Sequence, residues 1–179
     1  MNKAAMSAFR KPAAQAGFTL IELIVVIVIL GILAATALPR FSSLGGDARS
    51  ASMGAVRGSL SSTVALARGQ FLVNPAAITG NGNILPMEGV NVTMVNGYPD
   101  ASAGTAQAAG LTAADYTLTY GVAAATASRP AGLANSFLIQ PNSVAGTPSG
   151  VNCWVRYTQS TAANTPPEIV NNATADRCQ

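Results

Sequence analysis

The sequence predicts an α+β protein in which one long N-terminal α-helix, apolar in its first half and amphipathic in its second, packs on a small antiparallel β-sheet. Three observations carry that expectation. Residues 18–38 read FTLIELIVVIVILGILAATAL, with Glu22 as the single charge. Apolar residues then recur every three or four positions from Met53 to Phe71, the period of a helix with one buried stripe. Beyond Asn74, short β-prone runs alternate with Asn, Gly, Pro, Ser and Thr.

The apolar run is long enough, at about 1.5 Å per residue, to span roughly 30 Å of hydrocarbon. It is therefore a transmembrane helix, residues 18–38. In front of it, Lys3, Arg10 and Lys11 stand without any acid, which puts that flank in the cytoplasm and sends the rest across. An ordinary secretory signal cleaved near Ala34-Ala35-Thr36-Ala37 is the competing reading. Against it, the run exceeds a usual h-region and carries a carboxylate near its start. A central acid costs on the order of 3 kcal/mol on insertion scales, whereas the Leu, Ile, Val and Phe side chains here return roughly 4 to 8 kcal/mol. Insertion survives Glu22, and an intramembrane carboxylate calls for a cationic partner.

Gly31 weakens the helix, and Pro39 removes a backbone donor and crowds the preceding turn, so a kink or extensible stretch is expected between them. Past Pro39 the helix continues to about residue 72. Met53, Val56, Leu60, Val64, Ala67 and Phe71 form its seam, and Arg49, Arg57 and Arg68 fall off it. Gly45, Gly46, Gly54 and Gly58 each lower helix stability by up to about 1 kcal/mol; close packing is one use for them, and chance in a helix held by tertiary contacts is the other reading.

Strands are expected at Val90–Val95 and at residues 116–122, 136–140, 151–159 and 168–170, with turns at Asn96-Gly97 and Tyr98-Pro99-Asp100. Two cysteines, Cys153 and Cys178, lie in the part expected to be exported, where cysteines usually pair; two free buried thiols are the alternative. Closing that loop would contribute on the order of 3 to 4 kcal/mol in the chain-entropy model. Trp154 is expected to pack a strand.

Composition narrows the function. Charged residues are 9% of the chain and histidine is absent, so acid–base catalysis lacks its commonest side chain. Without the three basic residues of the first eleven, seven arginines face seven acids. That balance speaks against nucleic-acid binding, which needs a clustered basic face. No metal-ligand cluster is present, and Gly80-Asn81-Gly82 is glycine-rich without a phosphate-loop lysine. The expectation is no enzyme, no cofactor and no metal. Asn91-Val92-Thr93 and Asn172-Ala173-Thr174 match the glycosylation pattern, as chance allows in an Asn- and Thr-rich chain.

The junction itself is specific. Gly17-Phe18-Thr19-Leu20-Ile21-Glu22, between a basic leader and an apolar helix, resembles the signature of type IV pilins and type II secretion pseudopilins. The resemblance implies that residues 1–17 are a leader removed by a prepilin peptidase, which cuts between Gly17 and Phe18 and methylates Phe18. Met6 offers an internal start and a shorter leader. The resemblance also implies that Glu22 pairs with the N-terminal amine of a neighbouring copy during assembly, and that Gly31 and Pro39 mark a section losing helicity in the fibre. It further implies the type IV pilin fold, with a C-terminal loop closed by a disulfide between Cys153 and Cys178, residues 39–179 holding the helix continuation and the sheet-bearing head. The partners implied are the peptidase, the inner membrane of a Gram-negative-type cell, minor pilins and other copies of the chain in an extracellular fibre used for adhesion or related surface behaviour. A pseudopilin is the first alternative; major pseudopilins generally carry a calcium loop with a D-P-W-G-like stretch instead of the cysteine pair, and no such stretch occurs here. A minor pilin acting as a binding module is the second. Pro39-Arg40-Phe41, Asp47-Ala48-Arg49, Asn96-Gly97-Tyr98-Pro99-Asp100 and Cys153-Trp154-Val155-Arg156-Tyr157 are similar to mannose-sensitive haemagglutinin-type pilins.

Overall fold

A computed structural model describes residues 17–78 and 83–179 of the chain. They fall into two units, one ending at Arg40 and the other Phe41–Gln179. A helix of 54 residues, α1 (Leu20–Val73), contributes to both. The leader residues 1–16 and the Gly80-Asn81-Gly82 stretch lie outside the described residues.

In the first unit α1 is bare. Its stretch Leu20–Leu38 is long and apolar enough to cross a membrane, and none of it is buried. Thr36 hides its hydroxyl by donating to the carbonyl of Leu33 at 3.0 Å, the usual way a helix accommodates Thr in apolar surroundings. The helix runs through Gly31 and Pro39 without interruption, although Pro39 has no N–H to offer the carbonyl of Ala35.

In the second unit the helix is amphipathic. Met53, Val56, Leu60 and Ala67 are buried, and Val64 and Phe71 pack beside them. Thr63 is buried in this stripe, its hydroxyl satisfied by donating to Ser59 O at 2.9 Å. Two antiparallel sheets lie in this unit, where the sequence suggested one.

The first sheet is a meander of β1 (Ile84–Met87), β2 (Val90–Val95) and β3 (Tyr98–Pro99), with Met87 opposite Val90 and Val95 opposite Tyr98. Both connections are two-residue turns, Glu88-Gly89 and Asn96-Gly97, with φ between 47° and 82°. That is the type I′ geometry matching strand twist. The expected turn at Tyr98-Pro99 is instead a short strand; Pro99 is accommodated because β3 lies at a sheet edge. Leu85, Val92 and Met94 meet Ala67 and Ile78 in a small core of their own. A short helix, α2 (Ala103–Ala108), sits on β2 so closely that a Cβ on Gly104 would lie 2.2 Å from Asn91 O.

The second sheet runs in the order β4 (Tyr116–Tyr120), β5 (Ser136–Pro141), β6 (Val155–Thr158), β7 (Glu168–Asn171). One face carries Phe137, Ile139, Val155 and Tyr157 to the main core with Met53, Val56 and Leu60 of α1. The segment linking β4 to β5 is tied over the other face by Gln140, which donates to Ser128 O at 3.0 Å, and by Arg156, which donates to Ala131 O at 3.0 Å. β5 is accordingly buried along its whole length. The expected strand at 151–159 is shorter because residues 148–151 form a 3₁₀ turn and Cys153 is bonded elsewhere. Trp154 precedes β6, donating to Val151 O at 2.9 Å under the guanidinium of Arg156.

Candidate assembly site

The residues singled out for processing and assembly lie at the start of α1. Gly17, Phe18 and Thr19 are not helical, and α1 begins at Leu20. The Gly17–Phe18 peptide bond therefore sits in irregular chain, with Phe18 95% exposed. A protease that binds its substrate extended can reach such a bond without unwinding a helix turn.

Thr19 is the N-cap. Its carbonyl accepts from Leu23 N–H at 3.3 Å, and its hydroxyl oxygen accepts from Glu22 N–H at 3.3 Å. In return Glu22 Oε2 accepts from Thr19 N–H at 2.8 Å and from the Thr19 hydroxyl at 2.7 Å. This reciprocal pair is a capping box, satisfying donors that a helix start leaves open. Sequence reasoning read Glu22 as a carboxylate awaiting a cation and missed this second use, although Thr-x-x-Glu ahead of an apolar run is its signature. Every side-chain hydrogen bond of Glu22 with described residues falls on Oε2, and the side chain is exposed.

Gly31 and Pro39 lie further along the helix, and nothing comes within 4 Å of where a Cβ on Gly31 would stand. At the other end of the chain Cys153 and Cys178 are bonded, with Cα atoms 4.9 Å apart. The bond fixes the C-terminal segment against α1. Arg49 donates to Cys178 O at 2.7 Å, Ser50 donates to Ala173 O at 3.3 Å, and a Cβ on Gly46 would lie 2.3 Å from Ala175 O. Of the four helix glycines named from sequence, Gly46 is the one demanded by close packing against backbone; Gly54 and Gly58 face open space. Among the described residues, no three of His, Cys, Asp and Glu gather as metal ligands do.

Residues 12–38 match the prokaryotic N-terminal methylation motif. The chain is also 51% identical over 51 residues to the type IV narrow pilus major component of Thermus thermophilus. The N-terminal segment is similar to that of a type IV pilin. The match covers 28% of this chain and 44% of the relative, so the chain spans less than half the length of the curated relative it matches. No solved structure matches the chain. The α+β arrangement of the described residues, an N-terminal apolar helix continuing into a long helix with antiparallel sheets, fits the type IV pilin fold.

Proposed function

We propose that this chain is a structural, non-enzymatic subunit of a type IV pilus, cut by a prepilin peptidase between Gly17 and Phe18, methylated on Phe18, and held in the inner membrane until it joins an extracellular fibre of other copies and minor pilins. One observation carries the reading. A match to the N-terminal methylation motif takes in an apolar helix of which none is covered in the single chain. Exposed apolar surface of that extent needs lipid or other helices around it, and a subunit moving from membrane to fibre meets each in turn. Glu22 then has two partners in sequence, its own Thr19 cap and the Phe18 amine of a neighbour. Gly31 and Pro39 bound the stretch where α1 yields most cheaply if the fibre needs it longer.

The Cys153–Cys178 bond favours this reading over the pseudopilin alternative. The four short segments named above supply the mannose-sensitive haemagglutinin subtype as the finer reading. Electron microscopy of sheared surface material from cells with and without the chain tests the proposal. Fibres that vanish with the chain and return with it support a structural subunit. Fibres unchanged in number and length without it contradict that role and leave a minor pilin or a pseudopilin.

A further inference from the structure

The charges of the second unit are engaged in an uneven way. No lysine follows Phe18, so every side-chain cation of the processed chain is an arginine. Five arginines donate to main-chain carbonyls: Arg49 to Cys178 at 2.7 Å, Arg68 to Gly97 at 3.3 Å, Arg129 to Ala124 at 2.9 Å, Arg156 to Ala131 at 3.0 Å and Arg177 to Asn172 at 3.4 Å. Each staples a loop or chain end. Among the arginines whose side chains are described, Arg57 alone has no partner; it stands exposed on α1.

The acids divide similarly. Asp100 accepts from Thr105 and Asp115 from Thr112, whereas Asp47 is exposed on α1 with no partner among the described residues. Asp47 and Arg57 belong to the same helix, ten residues apart, which is about 15 Å along the axis. Two side chains cannot close that gap within one helix. Among the described side chains of α1, each copy therefore offers one unpaired cation and one unpaired anion at a fixed spacing past Phe41, the arrangement from which a head-to-tail contact repeats without closing. Glu88, Glu168 and Asp176 also have no partner among the described residues, but they lie at a hairpin tip, on β7 and near the C-terminus. Around Arg57, Gly54 and Gly58 face open space, so no side chain at either position shields the guanidinium from an approaching helix.

We propose that this exposed face of α1 is a contact surface for a second copy of the chain, with Arg57 of one copy pairing with Asp47 of the next. The inference rests on the pilus reading above. Its consequence is an axial offset between the paired copies of about 15 Å, adjusted by the reach of the two side chains. Complementary charges of this kind fix register and reject wrong docking more than they add affinity.

The test is charge reversal and swap in cells carrying the chain as sole copy. Arg57→Glu and Asp47→Arg, each alone, are expected to lower fibre yield about tenfold or more by setting like charges together. The double variant is expected to restore yield to near that of the natural chain. Membrane-bound subunit level and closure of the Cys153–Cys178 bond are measured alongside. If a reversal lowers either, Arg57→Gln and Asp47→Asn replace it; smaller losses that do not add in the double variant give the same support. Natural yield from either single reversal, additive losses in the neutral pair, or rescue of Arg57→Glu by Glu88→Arg or Glu168→Arg but not by Asp47→Arg, overturns the pairing. Cells whose natural chain forms no fibre contradict the pilus reading instead, so the two failures are distinct.

Discussion

At the scale of single residues, Glu22 has one role in the structure and a second in the proposed assembly, and one substitution can separate them. Its carboxylate caps α1 through Thr19, and a glutamine can do that nearly as well. Pairing with an amine in hydrocarbon requires the charge, because a neutral amide gives the cation no counter-ion. Glu22→Ala is expected to insert and be cleaved, since losing a charge eases insertion, and to assemble poorly as sole copy. Glu22→Gln is expected to assemble as poorly as Glu22→Ala. Fibre counts at natural levels for Glu22→Gln, with a deficit for Glu22→Ala, would show that the cap is the whole role of this side chain. Tyr157 makes a second residue-scale case. Its hydroxyl donates to Pro99 O at 2.6 Å, and burial, with Asp100 nearby, pushes its phenol well above the ordinary tyrosine range. Because the folded state favours the protonated phenol, its contribution to stability is full below about pH 10, where unfolded tyrosine titrates, and falls as pH rises toward the folded value. Denaturant unfolding of the detergent-solubilised chain is expected to show a decline above about pH 10 that Tyr157→Phe diminishes, after an initial loss of about 1 to 3 kcal/mol near neutrality from orphaning Pro99 O. A flat profile in the natural chain would contradict the assignment.

At the scale of elements, legibility followed how far each segment's pattern agreed with its packing. The second half of α1 could be read from Met53, Val56, Leu60 and Ala67 because a buried stripe imposes the helical period. Thr63 was invisible, since its buried hydroxyl is acceptable there only because the carbonyls of Ser59 and Ala108 accept from it. Strand β2 was legible end to end. β1 and β3 were not, because Pro86 and Pro99 argue against strands, and both lie at sheet edges where a missing N–H costs little. The Gly17-Phe18 junction was plain in the motif. The capping box was overlooked because one residue was already assigned another task, and Arg57 stands out only once every other described guanidinium has been placed. The C-terminal clamp gives the element-scale prediction. Gly46→Ala puts a Cβ 2.3 Å from Ala175 O, and forced displacement of packed backbone costs typically about 1 to 3 kcal/mol. Gly69→Ala, with open space around it, is expected to be neutral or stabilising by up to about 1 kcal/mol. Equal behaviour of the two variants in denaturant unfolding would show that the C-terminal segment does not press on α1. Cys178→Ser is expected to cost about 3 to 4 kcal/mol in the same measurement.

At the scale of the whole molecule, the chain has two units of different character. The first is an apolar helix with no part covered, and the second holds its own core, disulfide and carbonyl-stapling arginines. Such a division suits a subunit that is anchored first and polymerised later, and that order depends on the proposed removal of residues 1–17. Intact-mass analysis of filaments sheared from cells tests this most directly. The expected mass is that of a chain that begins at Phe18, carries one added methyl group, and is lighter by the two hydrogens of a closed Cys153–Cys178 bond. A chain beginning after Ala37, or one retaining residues 1–17, would contradict it.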